Sequence, residues 1–221
     1  MKLILLLTSI LYSSIFTFSQ NQISINTKKM HNETLYSTIE YSYFNFFNNG
    51  KEIKQLNDSI NNFFNSYTKE FTSLIDDDIK AEMDSGFIAG KFYSNIEMEY
   101  NILKNGYLSI FLTISYYTLG AHGNVSFYSY HYDTKEKEFL SFEDVAKING
   151  QDDLDNFNTV MQKHFLNENN CFEEKPFVNN PGFRSYYFDD DTITVVFAPY
   201  VLGSYACGTA DIKIPFKELK E

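Results

Sequence analysis

Few side chains in this sequence are spaced so that they could do chemistry together. The 221 residues include four histidines (His31, His122, His131, His164) and two cysteines (Cys171, Cys207). No His-x-x-x-His or Cys-x-x-Cys pattern occurs, so a zinc site has no local support. No Ser or Cys sits in a nucleophile-elbow sequence, and no carboxylate pair is singled out for glycoside hydrolysis. Asp76-Asp77-Asp78 lacks the alternating ligands of a calcium loop. The reading is therefore no catalytic set, no metal and no cofactor.

His122 is the residue to build on. It lies in Ser115–Gly123 between two β-rich runs, bracketed by Gly120 and Gly123. Glycine at these places admits positive φ or the close approach of another chain. A histidine on a loop above a sheet suits ligand contact or proton transfer. The competing reading is a tight corner whose imidazole bonds a backbone carbonyl. A second stretch, Phe197–Gly208, leaves one strand and returns to another carrying Pro199, Tyr200 and Tyr205. Tyrosines on a loop give rigid contact area with a polar tip, suited to protein or sugar; packing at a corner is the alternative. Tyr117, Gly120, His122, Gly123, Pro199, Tyr200 and Tyr205 are the expected binding residues. His164 falls on a helix stripe and His131 on the strand face of Phe127, both structural placements, and His31 lies in the N-terminal segment.

The elements that would position these residues follow from periodicity. Glu33–Phe47 alternates, with Leu35, Ile39, Tyr41 and Tyr43 on one face, as in a half-buried strand. From Glu52 apolar residues recur every three or four positions as far as Ile75, which predicts one long amphipathic helix. At its end the Asp triplet opposes the helix dipole. Phe92–Leu103 and Tyr107–Thr118 flank Asn105-Gly106, the preferred pair for a tight hairpin. Val125–Asp133 supplies a third strand, making an antiparallel meander. Ser141-Phe142-Glu143-Asp144 resembles a capping box with Asp in the last place, and Leu154–Phe165 is a second amphipathic helix. Residues 167–182 form a loop, and short strands follow at 183–188, 192–198 and 210–214. Strands and helices in blocks give an α+β fold: an antiparallel sheet packed by one long and one or two shorter helices.

The N-terminus reads as an export signal over residues 1–19. Lys2 precedes an apolar run to Phe18, and Thr17-Phe18-Ser19 favours cleavage before Gln20. That run is too short for a retained membrane anchor, and no second one could span a bilayer. Residues 20–32 are polar and read as an extended segment, followed by a single domain over 33–221. In a secreted or periplasmic chain two cysteines usually pair, two free buried thiols being the alternative. Closing the Cys171–Cys207 loop would contribute roughly 4 kcal/mol on the chain-entropy account. The net charge of −11, without a basic block, excludes nucleic acid as a natural partner and favours cationic partners.

Tyr116-Tyr117-Thr118-Leu119-Gly120-Ala121-His122-Gly123 resembles a Tyr-Tyr-Thr-Gly-Gly-Ala-His signature. That signature marks a bacterial extracytoplasmic domain of largely unknown function. The domain is found in RsiV-type lysozyme-sensing anti-sigma factors and ahead of the catalytic domain of PdaC-type peptidoglycan deacetylases. Tyr132-Asp133, Leu140–Asp144, Pro199-Tyr200 with Tyr205–Gly208, and Ile214-Pro215-Phe216 continue the resemblance in order. Leu119 departs from it by replacing the first glycine. The resemblance implies the α+β fold and a cell-envelope binding role, towards a cationic lysozyme-like protein or peptidoglycan glycan. It also implies that the Ala-His-Gly corner and the Pro-Tyr loop could share one recognition edge. The enzymatic alternative is an envelope hydrolase or deacetylase accessory with His122 in its site; the structural alternative has no ligand at all.

Overall fold

A long helix laid across a sheet organises the first half of the molecule, and a smaller sheet with its own helix organises the second. The computed structural model describes residues 23–167, 170–179 and 183–219; the export signal read at 1–19 lies outside them. The larger sheet contains β1 (Ile23–Glu33), β2 (Ser37–Asn48), β3 (Lys51–Glu52), β4 (Phe92–Ile102), β5 (Tyr107–Tyr117), β6 (Asn124–Asp133) and β7 (Glu138–Phe139). Its order is β1-β2-β4-β5-β6-β7, with β3 on β2. Between β3 and β4 run α1 (Lys54–Ser73) and α2 (Asp77–Asp84). Then come α3 (Phe142–Ala146), α4 (Gln151–His164) and a sheet of β8 (Tyr186–Phe188), β9 (Thr192–Phe197) and β10 (Ala210–Pro215), ordered β10-β9-β8. The fold is α+β.

The periodicities explain the two cores. Leu56, Ile60, Phe64 and Phe71 of α1 are buried against Ile39, Ile96, Leu108, Ile110 and Leu112 of the large sheet. Full burial of each such side chain is worth about 1.5–3 kcal/mol. The second core gathers Phe142, Phe157, Met161, Tyr186, Phe188, Ile193, Val195, Ile212 and Ile214. Two buried asparagines tie chain segments down like extra strand partners. Asn57 accepts from Phe46 N at 2.8 Å and donates to its carbonyl at 3.1 Å; Asn158 does the same for Val178 at 2.8 and 2.9 Å. The sheets meet where Asn101 donates to Phe188 O, Ser109 Oγ accepts from Phe188 N, and Ser129 donates to Arg184 O.

Several expectations need amendment. The antiparallel meander β4-β5-β6 is present, but β2 and β4 are parallel. The helices between them form a crossover, which is what a parallel neighbour requires. Residues 23–32, within the segment expected to be merely extended, and Glu33, expected to begin the next strand, form one strand paired with β2 along its whole length. Leu35, expected to point inward, is 70% exposed between those two strands. Tyr100 and Ile102, at the end of β4, are exposed. The long helix stops at Ser73. Asp76 then caps α2, accepting from Ile79 N at 2.8 Å, with Asp77 and Asp78 in the first turn. There the acidic charges favour the dipole instead of opposing it. The capping box on α3 forms from Ser141 and Asp144 as expected.

Candidate functional site

Six residues, 118–123, carry the chain from β5 to β6. The left-handed step falls on Leu119, at φ 61°, and not on either glycine. The bracketing glycines are therefore not there for positive φ. A Cβ on Gly120 would meet nothing, and one on Gly123 would make only an ordinary 3.5 Å contact with Tyr116 O. A non-glycine residue in this conformation costs roughly 1–2 kcal/mol. Leu119 offsets the cost by packing its side chain against the first core and close to Gly90.

The corner aims His122 at the second loop. His122 Nδ1 lies 2.8 Å from Gly123 O, and a carbonyl only accepts, so Nδ1 carries the proton in the neutral ring. Nε2 is then the acceptor for the Tyr200 hydroxyl, also at 2.8 Å. The Tyr205 ring stacks on the imidazole at 3.9 Å and 19°, and Tyr200 lies 5.6 Å from Tyr205. Residues 78 apart in sequence thus form one cluster of three rings. The expected corner bond to a backbone carbonyl and the contact between the two loops both occur.

The second loop is strained at the matching place. Val201 N bonds Ala198 O at 3.2 Å, closing a turn with Pro199 second and Tyr200 third. Tyr200 has φ 72°, the sign that a type II turn demands at its third residue and that glycine normally supplies. Its ring is 61% exposed. The Cys171–Cys207 disulfide holds the return of this loop. Gly203 is needed beside it, because a Cβ would come within 3.0 Å of Cys171 O. Strained backbone persists where the surroundings over-determine it, often at binding sites.

Tyr117 stands outside the three-ring cluster, at the end of β5, in register with Tyr93. Both are exposed, and with Glu97 and Glu99 they lie on the sheet face away from α1. Glu40 joins them from β2, accepting from Tyr93 at 3.4 Å and bonding His31 at 2.8 Å. Burial and then the Glu40 charge raise the Tyr93 pKa. Glu97 and Glu99 form no ion pair among the described residues. Sequence reading missed Tyr93 and Glu40; the alternation of β4 exposed the signal, but the parallel neighbour that brings Glu40 alongside did not show. His164 lies beside Glu218, at 3.1 Å, and His131 is buried. No group of three or more His, Cys, Asp or Glu among the described residues is placed to hold a metal. No helix among them is long and apolar enough to cross a membrane.

Residues 28–125 match the family described as Deacetylase PdaC, and residues 134–217 match a family of unknown function, DUF3298. Among solved structures, a DUF3298-family member from Bacteroides fragilis is 16% identical with TM-score 0.63, covering 90% of this chain and 92% of that one. A DUF3298-family protein from Pseudomonas aeruginosa is 13% identical with TM-score 0.53, over the same shares. At these identities the likeness is one of fold. No curated protein matches the chain.

Proposed function

We propose that this chain, a PdaC/DUF3298-type domain of unknown function, is an exported, non-catalytic binding module of the cell envelope that recognises a cationic protein of the lysozyme kind. The observation that carries the reading is the His122–Tyr200–Tyr205 cluster, built from two loops that each hold a non-glycine residue in the left-handed region. On the face of the larger sheet away from α1, Tyr93 and Tyr117 with Glu97 and Glu99, which form no ion pair among the described residues, offer ring faces and carboxylates to a cation. The disulfide between Cys171 and Cys207 fits an oxidising compartment. A catalytic role has less support: both ring nitrogens of His122 are engaged, one by a carbonyl and one by a phenol, with no carboxylate on either.

Stacked, exposed rings also suit a sugar, which keeps glycan as the second reading. Calorimetric titration with a cationic lysozyme at low and high salt, run beside sedimentation with peptidoglycan, separates the two. The expected outcome is salt-sensitive binding to the lysozyme. Sedimentation with peptidoglycan and no lysozyme binding transfers the function to the glycan reading; binding to neither removes both.

A further inference from the structure

A cavity of about 620 Å³ lies between α1, β6, the chain entering α3 and the chain entering β8. It is separate from the His122 cluster, and its walls come from both sides of the boundary between the two matched families. Arg184, on one wall, is the only arginine in the sequence. Its guanidinium lies 5.3 Å from the centre of the Tyr128 ring. Tyr128 in turn stacks on Phe63 at 5.1 Å and 26°. In a chain with 29 acidic residues, this guanidinium has no ion pair and no hydrogen bond with any described residue. The backbone beneath it is fixed, because the Ser129 hydroxyl donates to Arg184 O at 2.8 Å.

That bond also bears on His131, which lines the cavity and is 3% exposed. Ser129 has spent its proton on Arg184 O, so its oxygen accepts from His131 Nε2 at 3.0 Å. Nδ1 is closed off from solvent, and the Tyr186 backbone lies against the ring. Burial holds the ring neutral, with its pKa pushed down to about 3; a hydrogen bond with the Tyr186 backbone opposes the shift and the Arg184 charge adds to it. Asn62 and Ser66 add an amide and a hydroxyl to the wall. The size falls in the small-molecule range of roughly 300–1,000 Å³, and the walls mix aromatic rings with polar groups.

We propose that this cavity binds a small organic carboxylate with a hydroxylated ring, the chemistry of an acidic sugar. Arg184 takes the carboxylate through its two-pronged donor face, the Tyr128–Phe63 pair supports the ring, and Asn62 and Ser66 meet the ligand hydroxyls. The site does not depend on the His122 edge. Sodium D-glucuronate, titrated into the folded chain and followed by calorimetry and saturation-transfer NMR, tests it. Its uncharged methyl ester should bind roughly tenfold weaker or worse, as loss of a charged hydrogen-bond pair predicts. Arg184→Gln should lose binding to the same degree with an unchanged melting temperature, since the residue is exposed. Arg184→Lys should recover part of it, and Tyr200→Ala should leave it intact. Equal binding of the ester, full binding by Arg184→Gln, or no glucuronate binding at millimolar concentration overturns the proposal.

Discussion

Strand β6 has a histidine near each end, and the two have opposite surroundings. His122, just before the strand, is half exposed, stacked on Tyr205 and bonded to Tyr200 across a gap between loops. His131, near the other end, is buried beneath a second sheet, between Ser129 and the rings of Tyr186 and Phe188. One region stores backbone strain in Leu119 and Tyr200 and keeps its rings in reach of solvent. The other holds a neutral imidazole inside a packed junction. The difference teaches that rings can be clustered for two purposes: to be touched from outside, or to wall a cavity.

The comparison can be broken by substitutions whose effects should differ most in stability. Phe142→Ala removes a buried ring that packs on Phe157 and Tyr186 at the junction, and should cost about 3–5 kcal/mol in denaturant unfolding. Tyr205→Ala at the edge should cost within about 1 kcal/mol. Similar losses from both would mean that the edge is as structural as the junction.

A smaller effect comes from protons. His131 has a folded pKa near 3 against roughly 6.5 for an unfolded histidine. The unfolded chain therefore binds the extra proton between those values. Stability should hold above pH 6.5 and fall below it, by at most about 1.4 kcal/mol per pH unit. Denaturant midpoints at pH 7.5, 6.5 and 5.5 read this slope, before the paired carboxylates begin to titrate. His131→Gln should flatten the slope; a slope unchanged by that substitution would contradict the buried, neutral state of this ring.

The smallest expected change in stability is the most telling about strain. Tyr200→Gly removes a hydrogen bond worth about 1 kcal/mol and relieves a left-handed residue that costs a similar amount. The melting temperature should stay within a few degrees while the exposed ring is lost. A drop of several kcal/mol would make Tyr200 a fold-holding residue.

Much of this was legible in the sequence, for local reasons. The three- and four-residue spacing from Ile53 onward placed α1, and Asn105-Gly106 placed the β4–β5 turn. Ser141 and Asp144 announced the cap of α3. What was hidden depends on distant chain. Residues 23–33 are mostly polar because β1 is a sheet edge, held by backbone bonds to β2 with only Ile23, Ile25 and Met30 packing on the core. The Asp76–Asp78 triplet changed meaning because helix ends have opposite polarity, and periodicity did not reveal the break after Ser73. Leu119 took the left-handed position from the glycines because its side chain finds apolar neighbours. The bond from Tyr200 to His122 crosses 78 residues, and only the assembled sheets bring those loops together.

The central claim is that the three-ring edge is a binding surface. The direct measurement is the affinity of the Tyr200→Ala/Tyr205→Ala double variant for a cationic lysozyme, compared with the unaltered chain at the same salt concentration. Losing two central aromatic contacts should weaken binding by roughly 2 kcal/mol or more, about thirtyfold, while circular dichroism stays unchanged. An unchanged affinity, with the fold intact, would contradict the claim.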